Sequence, residues 1–353
     1  MSGAYEPGLV SVIVPTFNRA ALLDQALNSV RDQTYRPVEL LVVDDGSTDE
    51  TPQIVDKWRA AHADKKHLQL LYLPQQQSGA PAARNLGLIE SRGEFIQFLD
   101  SDDLLHAEKL SIHVHHLQDN PDVDLAYSGT GIFRSEPDWN APAASGQPIP
   151  DGNLLACFLM GGMWNTMSGL YRRRACVAIG PWDEHVLIYQ DVDYNVRFLL
   201  ANLQVAYVDG VLSLVRDHTD DRITPVKRSE EVLRCMLQLT QDWERWIRED
   251  HRMEPAVEWA LSHRRFTVSM NALRLGLPAL AREVAATGTG LAPNPATAYK
   301  ARLGRGLVAL PDWMSVPLAR LMFTILGIKR LKRHRVRSCG TGVAGQPPGT
   351  DGG

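Results

Sequence analysis

The first hundred residues alternate short apolar, β-branched runs with stretches whose apolar positions recur every three or four residues. Leu9 to Val14 reads as a buried strand ended by Pro15, and Val38–Val43, Leu68–Leu73 and Glu94–Leu99 read as three more. Between them, Ala20 to Gln33 sets Leu22, Leu23, Ala26, Leu27 and Val30 on one helical stripe. Ser47-x-x-Glu50 has the form of a capping box, opening a helix through Ile54, Val55 and Trp58 with Pro52 in its first turn. Ala80 to Ser91 supplies the next helix. This β-α-β-α-β-α-β order predicts an α/β fold, a mostly parallel central sheet with helices on both faces.

Past residue 100 the pattern loosens. His106 to Asp119 reads as a helix carrying His113, His115 and His116 on a partly exposed face, and Asp122 to Ser128 as a strand. Residues 134–152, rich in Pro, Ala, Gly and Ser, read as an exposed loop. Gln190 to Asn202 is a helix with Val192, Val196, Leu199 and Leu200 on its apolar side, followed by strands at Gln204–Val208 and Val211–Val215. From about Thr224 onward, long helical patterns at Glu230–Asp250 and Ala256–Leu275 predict a helical C-terminal extension. The expected division is an α/β domain over 1–222, a helical region over 223–338 and a disordered Gly- and Pro-rich tail over 339–353.

Composition narrows the class. The chain has 353 residues, 44% of them hydrophobic and 22% charged, which suits a globular protein with a sizeable core. A net charge of −4 is too mild to advertise nucleic acid as a partner. Cys157, Cys176, Cys235 and Cys339 lie far apart without a C-x-x-C pair, which argues against zinc and a disulfide framework and fits a reducing cytoplasm. Met1 to Leu9 carries no basic-then-apolar secretion signal, and no stretch reaches the roughly 18 apolar residues of a spanning helix. Near the other end, Val316, Leu318, Leu321, Met322, Phe323, Ile325, Leu326 and Ile328 run into Lys329, Arg330, Lys332, Arg333, Arg335 and Arg337. An apolar block followed by cations suits an anionic membrane surface, and equally suits a core-packing helix with a solvated basic end. The expected location is the cytoplasm, either free or peripheral at the inner face of the cell membrane.

The chemistry-bearing pattern is Phe95–Leu99 running straight into Asp100-Ser101-Asp102-Asp103. Acids delivered together at a strand end repel one another unless a cation sits among them, and hard oxygen ligands suit magnesium or manganese, which usually accompany phosphate. Helix capping and a solvated turn are the plainer explanations of the same cluster. The second strand ends in Asp44-Asp45-Gly46, where Asp45 is read as ligand-facing and Asp49 as a helix cap. Arg84, in Ala82-Ala83-Arg84-Asn85-Leu86-Gly87, brings a phosphate-binding cation, and small neighbours let its helix approach the sheet. No P-loop is present, and no G-x-G-x-x-G turn follows the first strand.

Taken in order, Val14-Pro15-Thr16-Phe17-Asn18-Arg19, Gln33-Thr34-Tyr35, Val42 to Asp49 (VVDDGSTD), Ala83-Arg84-Asn85 with Gly87, and Gly93 to Asp103 (GEFIQFLDSDD) resemble the family 2 glycosyltransferases. The resemblance is dense over about 9–130, which would be the nucleotide-sugar half, and thinner over 131–222, the acceptor half. It implies a GT-A fold and inverting transfer from a nucleoside-diphosphate sugar, with UDP the expected nucleotide and dTDP and GDP open. Pro15 and Asp45 would lie at the nucleoside, Asp100 would line the donor pocket and Asp102 would coordinate Mn2+ or Mg2+. Gly180-Pro181-Trp182-Asp183-Glu184 and Gln190-Asp191-Val192-Asp193 resemble the family's G-G-F-D-E … E-D-x-D-L pattern, which makes Asp191 the catalytic base and puts Gln190 where a Glu is usual. The alternative for Asp191 is an acid stabilised by a helix dipole. His218 falls where some GT-A enzymes place a histidine near the metal or diphosphate; a structural histidine is the alternative. The implied acceptor is a hydroxyl of a glycan or lipid-linked molecule, as in cell-surface polysaccharide synthesis, with acceptor choice expected from about 130–220, Trp164 and Trp182 included. A nucleotidyltransferase and a non-catalytic sugar-nucleotide or glycan binder are the rival readings.

Overall fold

The computed structural model describes residues 5–62, 68–140, 143–149, 152–217, 229–287 and 306–325. Strands β1 (Glu6–Thr16), β2 (Val38–Asp44), β3 (Leu68–Pro74) and β4 (Gly93–Phe98) alternate with helices α1 (Ala20–Arg31), α2 (Thr51–Ala61) and α3 (Ala80–Glu90), in the predicted order. Next come β5 (Leu104–Leu105), α4 (Lys109–Asp119), β6 (Leu125–Phe133), α5 (Leu154–Gly161), β7 (Gly169–Arg172), α6 (Arg173–Ile179), α7 (Gln190–Leu200) and β8 (Val205–Arg216). Helices α8 (Glu230–Glu249), α9 (Pro255–Leu275), α10 (Pro278–Ala286) and α11 (Asp312–Ile325) form the C-terminal extension.

All eight strands join one sheet in the order β3-β2-β1-β4-β7-β6-β8-β5. β1 is parallel to β2 and β4, β2 to β3, and β6 to β8; β7 runs against β4 and β6, and β5 against β8. The sheet is therefore mostly parallel. Alternation along β1 splits the core. Val10, Val12 and Val14 face α1, α2 and α4, whereas Ile13 joins Leu41, Val43, Ile96 and Phe98 beneath α3. Gly87 lets α3 settle on β1, since a methyl there would collide with Ile13 Cγ2.

Several expectations change. Pro15 does not end β1; it pairs in register with Val43. Ile13 O accepts from Leu99 N, so Pro15, two residues on, presents its missing N–H where β4 has already stopped. The Ser47/Glu50 capping box does not form, because Ser47 Oγ accepts instead from Asn18 N at 2.9 Å. Asp49 does the capping, accepting from Thr51 N at 3.0 Å and from Ala20 N at 3.1 Å. His113 is fully buried rather than partly exposed: Lys109 Nζ lies 3.1 Å from its Nδ1 and donates to Ser168 O at 3.0 Å. The two strands expected at 204–215 are one strand with a register shift near Gly129 of its partner β6. Trp164 and Trp182 are both 2% exposed and pack in the core rather than facing an acceptor.

The extension is not a loose appendage. The hairpin end of α8 and α9 (Leu239, Trp243, Ile247, Val257, Ala260, Leu261) shares the apolar core of α5, α6 and α7. The open end packs with α10, α11 and Leu307–Val308 in a separate core. Among the described residues no helix is long and apolar enough to cross a membrane. His218, the basic run after Ile328 and the expected tail lie outside the described residues.

Candidate active site

The strand ends of β2, β1 and β4 are neighbours in the sheet, so Asp45, Pro15 and Asp100 emerge along one rim. The loops that follow are tied together. Asn18 Oδ1 accepts from Thr48 N at 2.8 Å, which locks the loop after β1 to the loop after β2. Asp44 turns inward, accepting from Ser47 N and from Tyr72 Oη. The Asp45 carboxylate accepts from Gln75 Nε2 and Ser78 N at 2.7 Å and from Gly79 N at 2.8 Å. It therefore fixes the loop leading into α3, and any ligand at Asp45 would compete with or add to these bonds.

Arg84 is the hub. Its Nη2 lies 2.8 Å from Asp100 Oδ1, its Nη1 donates to Gln190 Oε1 at 3.1 Å, and its guanidinium sits 4.7 Å above the Trp182 ring. Trp182 in turn stacks on Tyr194 with centroids 4.1 Å apart. The next residue, Asn85, accepts from Trp182 N at 2.8 Å and donates to Trp182 O and Glu184 Oε1, both at 2.9 Å. Consecutive residues of α3 thus hold the Asp100 rim and the turn that precedes α7. Asp191 stands in the first turn of α7, its Oδ1 accepting from Val192 N at 2.9 Å. Burial pushes its carboxyl pKa up; the Val192 amide and Arg84 oppose that, and Asp100 adds to it.

The Asp100–Asp103 segment separates its acids. Asp103 is buried and accepts from Arg216 N at 2.8 Å, and burial, with Asp102 and Asp100 beside it, raises its pKa well above the usual carboxylate range. Asp102 lies 3.8 Å from Arg19 Nη2 and is more open. Among the described residues no three His, Cys, Asp or Glu side chains converge as a cage for a metal. A hard divalent cation at this rim would take part of its oxygen shell from a phosphorylated ligand, the usual habit of magnesium. Asp100 and Asp102 add to the effect of burial on Asp103, so three acids crowd this rim, and these hard oxygen donors fit such an ion.

Part of the chain is similar to known glycosyltransferases. The family model described as glycosyl transferase family 2 matches residues 11–176. Those residues form a family 2 glycosyltransferase domain. The first four curated relatives are matched over only 15% to 43% of their own length. Staphylococcus aureus poly(ribitol-phosphate) β-N-acetylglucosaminyltransferase TarS is 40% identical over 113 residues, 30% of this chain and 19% of TarS. A Campylobacter jejuni β-1,3-glucosyltransferase, named for a PP-undecaprenol-linked glycan, is 37% identical over 102 residues, 29% of this chain and 32% of that enzyme. The crystal structure of TarS 1–349 superposes with a TM-score of 0.59 at 20% identity, covering 89% of this chain and 91% of that one. The Pyrobaculum calidifontis mannosyltransferase, solved with GDP-Man and Mn2+, gives a TM-score of 0.52 at 21% identity over 91% and 87%. The glycosyltransferase domain has the GT-A fold.

Arg84 brings Asp100 of this domain next to Gln190 and Asp191, which follow it in the chain, while Pro15 and Asp102 share the same rim and Asp45 stands at its far end. Sequence reasoning missed Asn85 as the clamp on the 182–184 turn and Trp182 as the floor under Arg84. It also missed Arg19 beside Asp102. The A-R-N run was a signal for Asn85; nothing local signalled Trp182.

Proposed function

We propose that the chain transfers a sugar from a nucleoside-diphosphate sugar to a hydroxyl of a glycan or lipid-linked acceptor, inverting the anomeric centre. The observation that carries this reading is Arg84, one cation bonded both to the donor-side acid Asp100 and to Gln190 beside Asp191. A guanidinium in that position can take the diphosphate bidentately while keeping the leaving group within reach of the base turn. Asp191 accepts the proton of the acceptor hydroxyl as that oxygen attacks the anomeric carbon from the face opposite the diphosphate. Its burial, which raises its proton affinity, suits a base. Pro15 and Asp45 border the nucleoside and Asp100 the sugar-diphosphate. Asp102 would hold a Mg2+ or Mn2+ ion, which would neutralise charge on the departing diphosphate. His218 is a second candidate ligand. A UDP donor is favoured, and TarS, solved with UDP-GlcNAc, supports it. A lipid-linked acceptor, as in the Campylobacter relative's name, would place the work at the inner face of a membrane.

The test is a thermal-shift series with UDP and GDP, each with and without Mn2+, on the full chain and on Asp102→Asn. Stabilisation by one nucleotide that grows with Mn2+, and loses that increment in Asp102→Asn, is the expected result. No shift with any nucleoside diphosphate would overturn the reading. Release of nucleoside diphosphate from UDP-N-acetylglucosamine or GDP-mannose then separates an enzyme from a binder.

A further inference from the structure

The chemistry proposed above leaves unused a cation contributed by the C-terminal extension. Arg264 of α9 lies with its guanidinium 5.0 Å from the Tyr189 ring and 5.0 Å from the Trp243 ring, and its Nε donates to Leu159 O. Tyr189 is the residue before α7 and adopts φ 63, the left-handed region that a bulky side chain avoids. That conformation is strained for a side chain with a Cβ and persists only where its surroundings enforce it. The other side of the same turn is held too. Trp243 of α8 donates from Nε1 to Asp193 Oδ1 at 3.0 Å, and Arg197 bonds the other oxygen of Asp193 at 2.9 Å. Asp191 sits between Tyr189 and Asp193, so α8 and α9 grip the turn on both sides of the proposed base.

We propose that Arg264 is the positioning residue of Asp191: stacked on Tyr189, it fixes the left-handed turn that aims the carboxylate and sets a positive charge near it. The inference rests on the reading of Asp191 as the base. The charged and titratable groups that act on Asp191 are Arg84 from α3, Asp100 from the end of β4, Tyr171 from β7 and Arg264 from α9. Arg84 is shared with Asp100 and Gln190, whereas Arg264 is committed to the aromatic pair. Burial lowers the pKa of Arg264, and the attraction of Asp191 and Tyr189 opposes that. By the same coupling, deleting its charge makes Asp191 harder to ionise.

The experiment follows the carboxyl titration of Asp191 by 13C NMR on the full chain labelled at aspartate, with Asp191→Asn assigning the resonance. Arg264→Met should move that titration to higher pH and lower kcat about tenfold, with the donor KM unchanged. Arg264→Lys, which keeps the charge, should leave the titration near the wild-type position. Were Arg264→Met to unfold, Tyr189→Leu replaces it: removing the ring should lower kcat without moving the titration. An unmoved titration in folded Arg264→Met, or unchanged kcat in Tyr189→Leu, overturns the proposal. Wild-type turnover in Asp191→Asn overturns the base assignment and this inference together; a dead Asp191→Asn beside an unaltered Arg264→Met sinks the inference alone.

Discussion

The proposed donor rim and the turn that carries the proposed base are built in opposite ways. At the rim Asp44, Asp45 and Asp102 are secured from within the same parallel half: Asp45 by the 75–79 loop, Asp44 by Ser47 and Tyr72, Asp102 by Arg19. The turn around Asp191 is secured from afar, by α3 through Arg84 and Asn85, and by the α8–α9 hairpin through Trp243 and Arg264. A rim made of local loops can be altered one ligand contact at a time. A turn gripped by three separate helices holds a buried carboxylate at a fixed angle and exposes that angle to distant changes. Donor binding and proton removal should therefore fail separately, the first in KM and the second in kcat.

The largest effect is expected from Asp191→Asn. Loss of a general base costs about a hundredfold to ten-thousandfold in kcat, with donor KM near its starting value. Steady-state release of nucleoside diphosphate measures both; a raised KM with kcat kept would place Asp191 on the donor side and erase the contrast. Arg84→Met comes next, because it serves both regions. It removes the charge that answers Asp100 and leaves a partly exposed carboxylate facing the diphosphate, so donor KM should rise about tenfold or more. The same substitution removes a cation that favours ionised Asp191, so the acid limb of the kcat profile moves to higher pH. A change in kcat alone would make Arg84 part of the base turn only.

The same contrast explains what could be read before the fold was known. β1 to β4 were legible because each strand is an apolar run closed by turn residues, and the rim acids follow directly on those runs. The Ser47 box misled because its pattern is local while its hydroxyl is claimed by Asn18, 29 residues earlier. His113 misled because a histidine on a helix says nothing of the carbonyl, Ser168 O, that lets Lys109 and His113 be buried together. β7 spans Gly169–Arg172 alone, too short for any period, yet it occupies the middle of the sheet. The base turn was named through a resemblance, but its geometry was not readable. Arg84 meets Gln190 across 106 residues, and no local signal marks Tyr189 as left-handed or pairs Trp243 with Asp193.

A smaller effect is expected where the two regions are joined by the side-chain amide of Asn85. Asn85→Ala strands Trp182 N and O, which are buried, and should cost about 1–3 kcal/mol of stability. Chemical denaturation reads this directly. Because Arg84 keeps its partners, donor KM should hold while kcat drops severalfold as the 182–184 turn loosens. A stability loss with kcat untouched would mean that the turn is positioned by the α8–α9 hairpin without help from α3.

The smallest and sharpest change is Gln190→Glu, which installs the acid that the family pattern leads one to expect. Gln190 Oε1 already accepts from Arg84 Nη1 at 3.1 Å, so a carboxylate can replace the amide oxygen in place and turn a hydrogen bond into an ion pair. Two consequences follow at Asp191. The new negative charge beside Asp191 disfavours its ionised form, and it engages Arg84, one of the cations that favours it. Both push the Asp191 titration upward. The stronger tie to Arg84 should meanwhile hold α3 and α7 more firmly together and weaken the hold of Arg84 on Asp100. The expected outcome is a kcat at neutral pH within about threefold of wild type, an acid limb shifted to higher pH, and a modest rise in donor KM. An acid limb that stays in place would mean that residue 190 does not share an electrostatic environment with Asp191, and the bridge through Arg84 would then join the donor rim to α7 without reaching the base.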